Sequence, residues 1–172
     1  MGKINLENKS HKEIVSNYRY VRRYEIKNFH KFYNKIGTCK YDFNDMAKLY
    51  IDNNSVQYTK SEKIILKNEI KHLCKIANAG FGKINCFKDK ITDNLVYFNV
   101  VLFDEKSVHL AINSCDKKWK KTGLMAWGID NLLNEYNGKI NLFDFNGANS
   151  PLRGDDKHSY GAEEQLYFQL KF

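Results

Sequence analysis

The sequence predicts an α+β domain, and three observations carry that reading. Lys83–Phe87, Leu95–Phe103 and Val108–Asn113 have strand character and follow one another across polar turns at Lys88-Asp89 and Asp104-Glu105-Lys106-Ser107, which makes an antiparallel meander. Helical apolar stripes precede and follow this meander instead of alternating with its strands. One helix and then one buried strand come next, so that helix has to cross between neighbouring strands of a mixed, mostly antiparallel sheet.

In chain order, Ser10-His11-Lys12 leads into Ile14, Tyr18, Val21, Ile26 and Phe29 at helix-compatible spacing, with Arg19, Arg22, Arg23 and Lys27 between them. Gly37 is placed to end this basic helix, so residues 1–36 are expected to be a leading helical segment packed on a domain of residues 37–172. Thr38 to Phe43 alternates weakly, as a short strand does, and Asn44 or Asp45 is placed to cap a helix through Met46, Leu49 and Tyr50. Thr59-Lys60-Ser61-Glu62 is a capping box, and the helix it starts carries the stripe Leu66, Ile70, Leu73, Cys74 and Ala77 up to Gly80. After the meander, Gly123 opens a helix with Met125, Ile129, Leu132, Leu133 and Tyr136 on one face and Asn137-Gly138 at its end. Ile140 to Phe145 reads as a buried strand. A final strand is expected where Leu166, Phe168, Leu170 and Phe172 alternate with Tyr167, Gln169 and Lys171.

At 172 residues, 42% hydrophobic and 28% charged, the chain has material for one core and not for two ordinary domains. Its 14% aromatic content, single proline and ten glycines exclude a collagenous or low-complexity protein. Apolar runs such as Val100–Phe103 stop at four residues, against the roughly 20 that a membrane span needs. Met1-Gly2-Lys3-Ile4-Asn5 has no continuous apolar stretch of secretory type, and Leu6 stands where N-myristoylation requires Ser or Thr, so a cytoplasmic location is expected. The net charge of +8 would attract phosphates, nucleic acid or an anionic membrane face, although lysine supplies nearly all of it and arginine is the better shape for bidentate recognition. Cys39, Cys74, Cys86 and Cys115 form no C-x-x-C pair and have no histidine at finger spacing, so no metal is expected and they read as small reduced core residues.

Chemistry concentrates in two places. The first is a strand ending at Asn113-Ser114, a basic loop from Lys117 to Lys121, and Thr122-Gly123 at a helix start. There lysines and unpaired helix-terminal amides converge, and a phosphate could bind. The second is Phe143-Asp144-Phe145-Asn146-Gly147 followed by Lys157-His158-Ser159-Tyr160-Gly161-Ala162. This pair resembles the end of the FemA/FemB-like branch of the GNAT N-acyltransferase superfamily, where a D-F-x-G strand end leads to a K-x-x-[FY]-G-A element. The order of elements upstream is similar, so the resemblance covers most of residues 10–172, and it covers only the second of the two tandem domains of Fem enzymes.

The resemblance implies a GNAT-like sheet with helices on both faces, splayed to hold an acyl donor between two central strands, and makes residues 37–172 an acyltransferase domain. It implies transfer of an acyl group, acetyl first, from acetyl-coenzyme A or another acyl-coenzyme A to a small-molecule, sugar or peptide amine. Fem-type transfer from aminoacyl-tRNA is the alternative, with Arg19, Arg22 and Arg23 as RNA contacts, and a non-catalytic binding module is the other. The superfamily's pyrophosphate loop, [RQ]-x-x-G-x-[GA], aligns with Lys120-Lys121-Thr122-Gly123-Leu124-Met125, so Asn113, Ser114, Lys120, Lys121, Thr122 and Gly123 are the expected donor-binding residues. The loop departs from the pattern at Lys120 and at the bulky Met125. Amine acylation also needs stabilisation of a developing oxyanion and a route for a proton. Main-chain amides near His109–Asn113 are implied for the first. Lys157, in the motif's lysine position, would add positive charge; Asp144 would accept a proton or else cap the turn at Asn146-Gly147; His158 adjoins Lys157. His109 alternates with apolar residues on a strand and reads as a hydrogen-bonded surface position. A lone half of a tandem family makes a homodimer plausible.

Overall fold

The computed structural model describes residues 2–53, 58–146 and 156–164. Among these described residues the strands form one seven-stranded sheet. These are β1 (Gly2–Asn5), β2 (Ile36–Thr38), β3 (Gly82–Asp89), β4 (Leu95–Phe103), β5 (Ser107–Cys115), β6 (Leu142–Asp144) and β7 (Glu163–Glu164), in the order β2-β3-β4-β5-β6-β1-β7. All pairings are antiparallel except β5 with β6, which run parallel. The helices are α1 (His11–Ser16), α2 (Tyr20–Phe29), α3 (Phe43–Asn53), α4 (Lys60–Ile76), α5 (Lys117–Lys120) and α6 (Leu124–Tyr136). The α+β class and the mixed, mostly antiparallel sheet are as expected. The crossover that makes β5 and β6 parallel neighbours is α6.

Alternation along β4 divides the core. Phe98 and Val100 join Met46, Ile70 and Cys74 on the face covered by α3 and α4. Tyr97 and Val101 face α6, Val101 packing with Ile129, Leu132 and Leu133 and Tyr97 with Leu124 and Trp127. Fully burying such side chains contributes about 1.5–3 kcal/mol each, so both layers are needed to hold the sheet.

Four details differ from expectation. The leading segment is two helices, because Arg19 is extended and its N–H donates to the Ser159 carbonyl at 2.9 Å, while a capping box at Ser10 and Glu13 starts the first. That segment also carries β1, unmarked in the sequence, which inserts between β6 and β7. β2 lies earlier than Thr38–Phe43, since Asp42 Oδ1 takes the N–H groups of Asn44 and Asp45 and so commits that stretch to capping α3. The strand expected at 140–145 is trimmed to Leu142–Asp144. The capping box at Thr59–Glu62 forms as expected, and α4 continues into a π turn, Ala77–Phe81, in which Gly80 takes φ +95°. The expected strand at 166–172 and Gly147 of the motif lie outside the described residues.

Candidate active site

The site begins with a bulge. Val100 pairs with Ile112 and Val101 with Leu110, so Ala111 is an extra residue in β5. The inserted residue changes the phase of the strand. Val108 and Leu110 face α6, Ile112 packs on the α3/α4 side, and Asn113 and Cys115 return to the α6 side. β5 also outruns its parallel partner. Pairing with β6 covers Ser107–His109 against Leu142–Asp144 and stops there, while β5 continues to Cys115. The two strands therefore part beyond His109 and Asp144, and among the described residues no strand pairs with the β6-facing edge of β5 past that point.

A cavity of about 650 Å³ occupies this gap. One wall is β5 from Leu110 to Cys115, another is Met125 and Ile129 of α6, a third is Phe145, Asn146, Asp156 and Lys157, and Tyr50, Asn53, Lys117 and Lys120 close the rim. The volume is that of a small-molecule site, and apolar walls with a few convergent polar groups are what such sites use.

Of the expected donor-binding residues, Asn113, Ser114 and Lys120 line the cavity, while Lys121, Thr122 and Gly123 are not among its lining residues. Ser114 is buried and its hydroxyl is 3.4 Å from the Leu49 carbonyl, on the α3 side. Gly123 is buried against α2: a Cβ there would stand 2.1 Å from the Glu25 carbonyl oxygen. The glycine is thus needed for helix packing and for its φ of +97°.

Lys157 lines the cavity and donates to the main-chain carbonyls of Phe145, at 2.9 Å, and Asn146. It pins the end of the parted strand. Asp144 is 1% exposed, its Oδ1 accepts the Asn146 N–H at 2.9 Å, and its Oδ2 lies 3.7 Å from both Lys3 Nζ and His109 Nδ1. Of its two expected roles, the structure shows the turn cap. His109 donates from Nε2 to Asp104 Oδ2 at 2.8 Å, and this bond is the first cause holding the Asp104 carboxyl down at about 2. His158 is not a lining residue; its Nδ1 donates to the Ala162 carbonyl at 2.8 Å and its Nε2 faces Glu164 at 3.2 Å.

Arg22 and Arg23, RNA contacts under the aminoacyl-tRNA alternative, are engaged internally. Arg22 donates to Ser159 Oγ, Glu25 and Asp156 and lies over the Tyr160 ring, while Arg23 donates to the carbonyls of Ser16 and Tyr18. Arg22 in this way anchors the segment that carries Lys157. Tyr160 is 1% exposed and packs edge-on against Tyr18, a packing role.

Sequence reasoning missed a polar ladder beneath the cavity wall. Asn85, Asn99 and Asn113 stand opposite one another on three adjacent strands. Asn85 Nδ2 donates to Asn99 Oδ1 at 2.9 Å, Asn99 Nδ2 donates to the Tyr97 hydroxyl at 3.2 Å, and Asn113 reaches that hydroxyl and, at 3.2 Å, Met125 Sδ. Desolvation pushes the Tyr97 hydroxyl well above its ordinary range, so it stays neutral. The signal in the sequence is the even interval of the three asparagines across the meander.

Among the described residues no group of three His, Cys, Asp or Glu side chains is arranged to hold a metal, and no helix is long and apolar enough to cross a membrane. No protein-family profile matches the chain, and no curated protein matches it in sequence. Solved structures do match in fold. A conserved protein of unknown function from Bacteroides thetaiotaomicron VPI-5482 superposes with a TM-score of 0.67 at 10% identity, over 94% of this chain and 55% of that one. FemX superposes at 0.61 with 8% identity, over 94% and 58% respectively. A possible acetyltransferase from Clostridium difficile 630 superposes at 0.56 with 12% identity, over 80% and 96%. The chain has the GNAT-like fold, and it spans a little over half the length of the first two structures.

Proposed function

We propose that this protein is an N-acyltransferase that passes an acyl group from an anionic carrier, acyl-coenzyme A in the first instance, directly to an amine. The observation that carries the proposal is the parting of β5 and β6 beyond His109 and Asp144, with a cavity of about 650 Å³ between them. An extended acyl-bearing arm fits such a gap, since it can run beside β5 and take the main-chain hydrogen bonds that β6 no longer takes. The carrier would supply the activated thioester carbonyl.

The chain's own residues would do the rest. Main-chain amides at the Ala111 bulge would face negative charge developing on the acyl oxygen, preorganised by the sheet and costing no rearrangement. Asn113 would add a polar side chain on the same wall, positioned by the Tyr97 hydroxyl and Met125 Sδ. Lys157 would bring positive charge to the parted strand end while tying the Phe145 and Asn146 carbonyls. Met125 and Ile129 of α6 would keep the reacting end dry, which strengthens each of these interactions.

Isothermal titration with acetyl-coenzyme A, followed by transfer of radiolabelled acetyl to a panel of sugar, peptide and small-molecule amines, tests the proposal. Micromolar binding with label transferred to an amine is the expected result. Binding of aminoacyl-tRNA instead would assign the Fem-type donor, and absence of binding by either would leave a non-catalytic module.

A further inference from the structure

We propose that the phosphates of the acyl carrier are captured by the side chains of Lys117 and Lys120 and not by main-chain amides at the start of α6. The inference rests on the acyl-carrier reading above and concerns how this chain holds the carrier's anionic end.

Every amide in the loop is already used. The Lys117 N–H donates to Asn53 Oδ1 at 2.8 Å. Those of Lys118 and Trp119 donate to Asp116 Oδ1 at 2.8 and 3.3 Å, and that of Lys120 to the Asp116 carbonyl at 2.7 Å. Lys121 and Thr122 turn theirs to the Trp119 carbonyl, and Gly123 donates to the Lys120 carbonyl at 3.1 Å. The first turn of α6 is no freer. Leu124 is 0% and Ala126 1% exposed, and the Met125 amide faces the Cys115 sulfur. The open face that a glycine would offer a phosphate at Gly123 is filled by the Glu25 carbonyl. The Asp116 carboxylate also sits at the head of the loop, where it would repel an anion.

Lys117 and Lys120 are arranged otherwise. One turn apart on α5, they share a helix face, and that face is the one that reaches the cavity rim. Both are exposed, and among the described residues no hydrogen bond or ion pair engages either ammonium. Lysine is a point charge on a flexible stem, so it attracts phosphate without fixing its geometry. Capture of this kind is screened by salt, whereas buried amide contacts are screened much less.

The test is titration of coenzyme A and of pantetheine, its phosphate-free arm, into wild type and into the Lys117→Ala/Lys120→Ala double variant at low and high salt. Thermal melting checks that the variant is folded, as expected for two exposed side chains. Wild type should bind coenzyme A at least about tenfold more tightly than pantetheine at low salt, and that preference should shrink at high salt. The double variant should bind the two ligands alike and with little salt dependence. If it binds coenzyme A as wild type does, with the same salt response, lysine capture is overturned while the acyl-carrier reading stands. If neither protein binds coenzyme A or pantetheine, the acyl-coenzyme A reading falls and the inference with it.

Discussion

Gly123 shows how one residue can satisfy a motif for a reason other than the motif's. Its place before a helix suggested a phosphate cradle, but α2 passes so close that no side chain fits, a fact of tertiary packing that no local pattern contains. Gly123→Val should therefore destabilise the fold by about 3 kcal/mol through strain and displacement of α2, seen as a fall in Tm of roughly 6–12 °C; an unchanged Tm would contradict this assignment. Lys157 was legible because the K-x-x-[FY]-G-A spacing set it apart from the other lysines. Lys157→Met keeps the stem and removes the ammonium, and should lower turnover at least about tenfold in the transfer assay, with the variant still folded by circular dichroism. Asp104 carries the pH prediction. Its folded carboxyl is held down at about 2, below the unfolded value near 4, so its contribution is present above about pH 4 and lost as pH falls toward 2. The Tm difference between wild type and Asp104→Asn should accordingly close over that window. A difference that persists unchanged at pH 2 would remove the His109 bond as its cause.

At the scale of elements, caps and periodicity were the readable part of the fold. The Thr59–Glu62 box, the α6 stripe and the meander are local, and the structure keeps them. What escaped is non-local: β1 exists because β6 and β7 accept it, and the break between α1 and α2 exists because Ser159 meets Arg19. The Ala111 bulge escaped as well, since an extra residue in a strand leaves alternation intact on either side of it. Its consequence is large. Removing Ala111 would bring Leu110 and Ile112 into direct alternation, with Asn113 and Cys115 still on the α6 side, and would take away the local bend and the extra main-chain unit that line the gap. Deletion of Ala111 should therefore leave thermal unfolding cooperative and weaken coenzyme A binding at least about tenfold; a stable variant with wild-type binding would show that the bulge does not shape the site. Ala111→Ser, which keeps the residue count, should behave as wild type in both measurements.

For the whole molecule, the sheet is two ladders that separate: a tight antiparallel side of β2 to β5, and a side of β6, β1 and β7 that touches β5 only at its beginning. The helices reinforce the division, α3 and α4 covering one face and α6 bridging the parting on the other. Lys157 and Arg22 then hold the far edge in place, so the gap is part of the folded state and does not wait for a ligand to open it. Amide hydrogen exchange, followed residue by residue with and without acetyl-coenzyme A, tests this most directly. Slowed exchange concentrated at Leu110–Asn113 and Phe145–Asn146 is the predicted result, and protection confined to other parts of the sheet, with these amides unchanged, would contradict it.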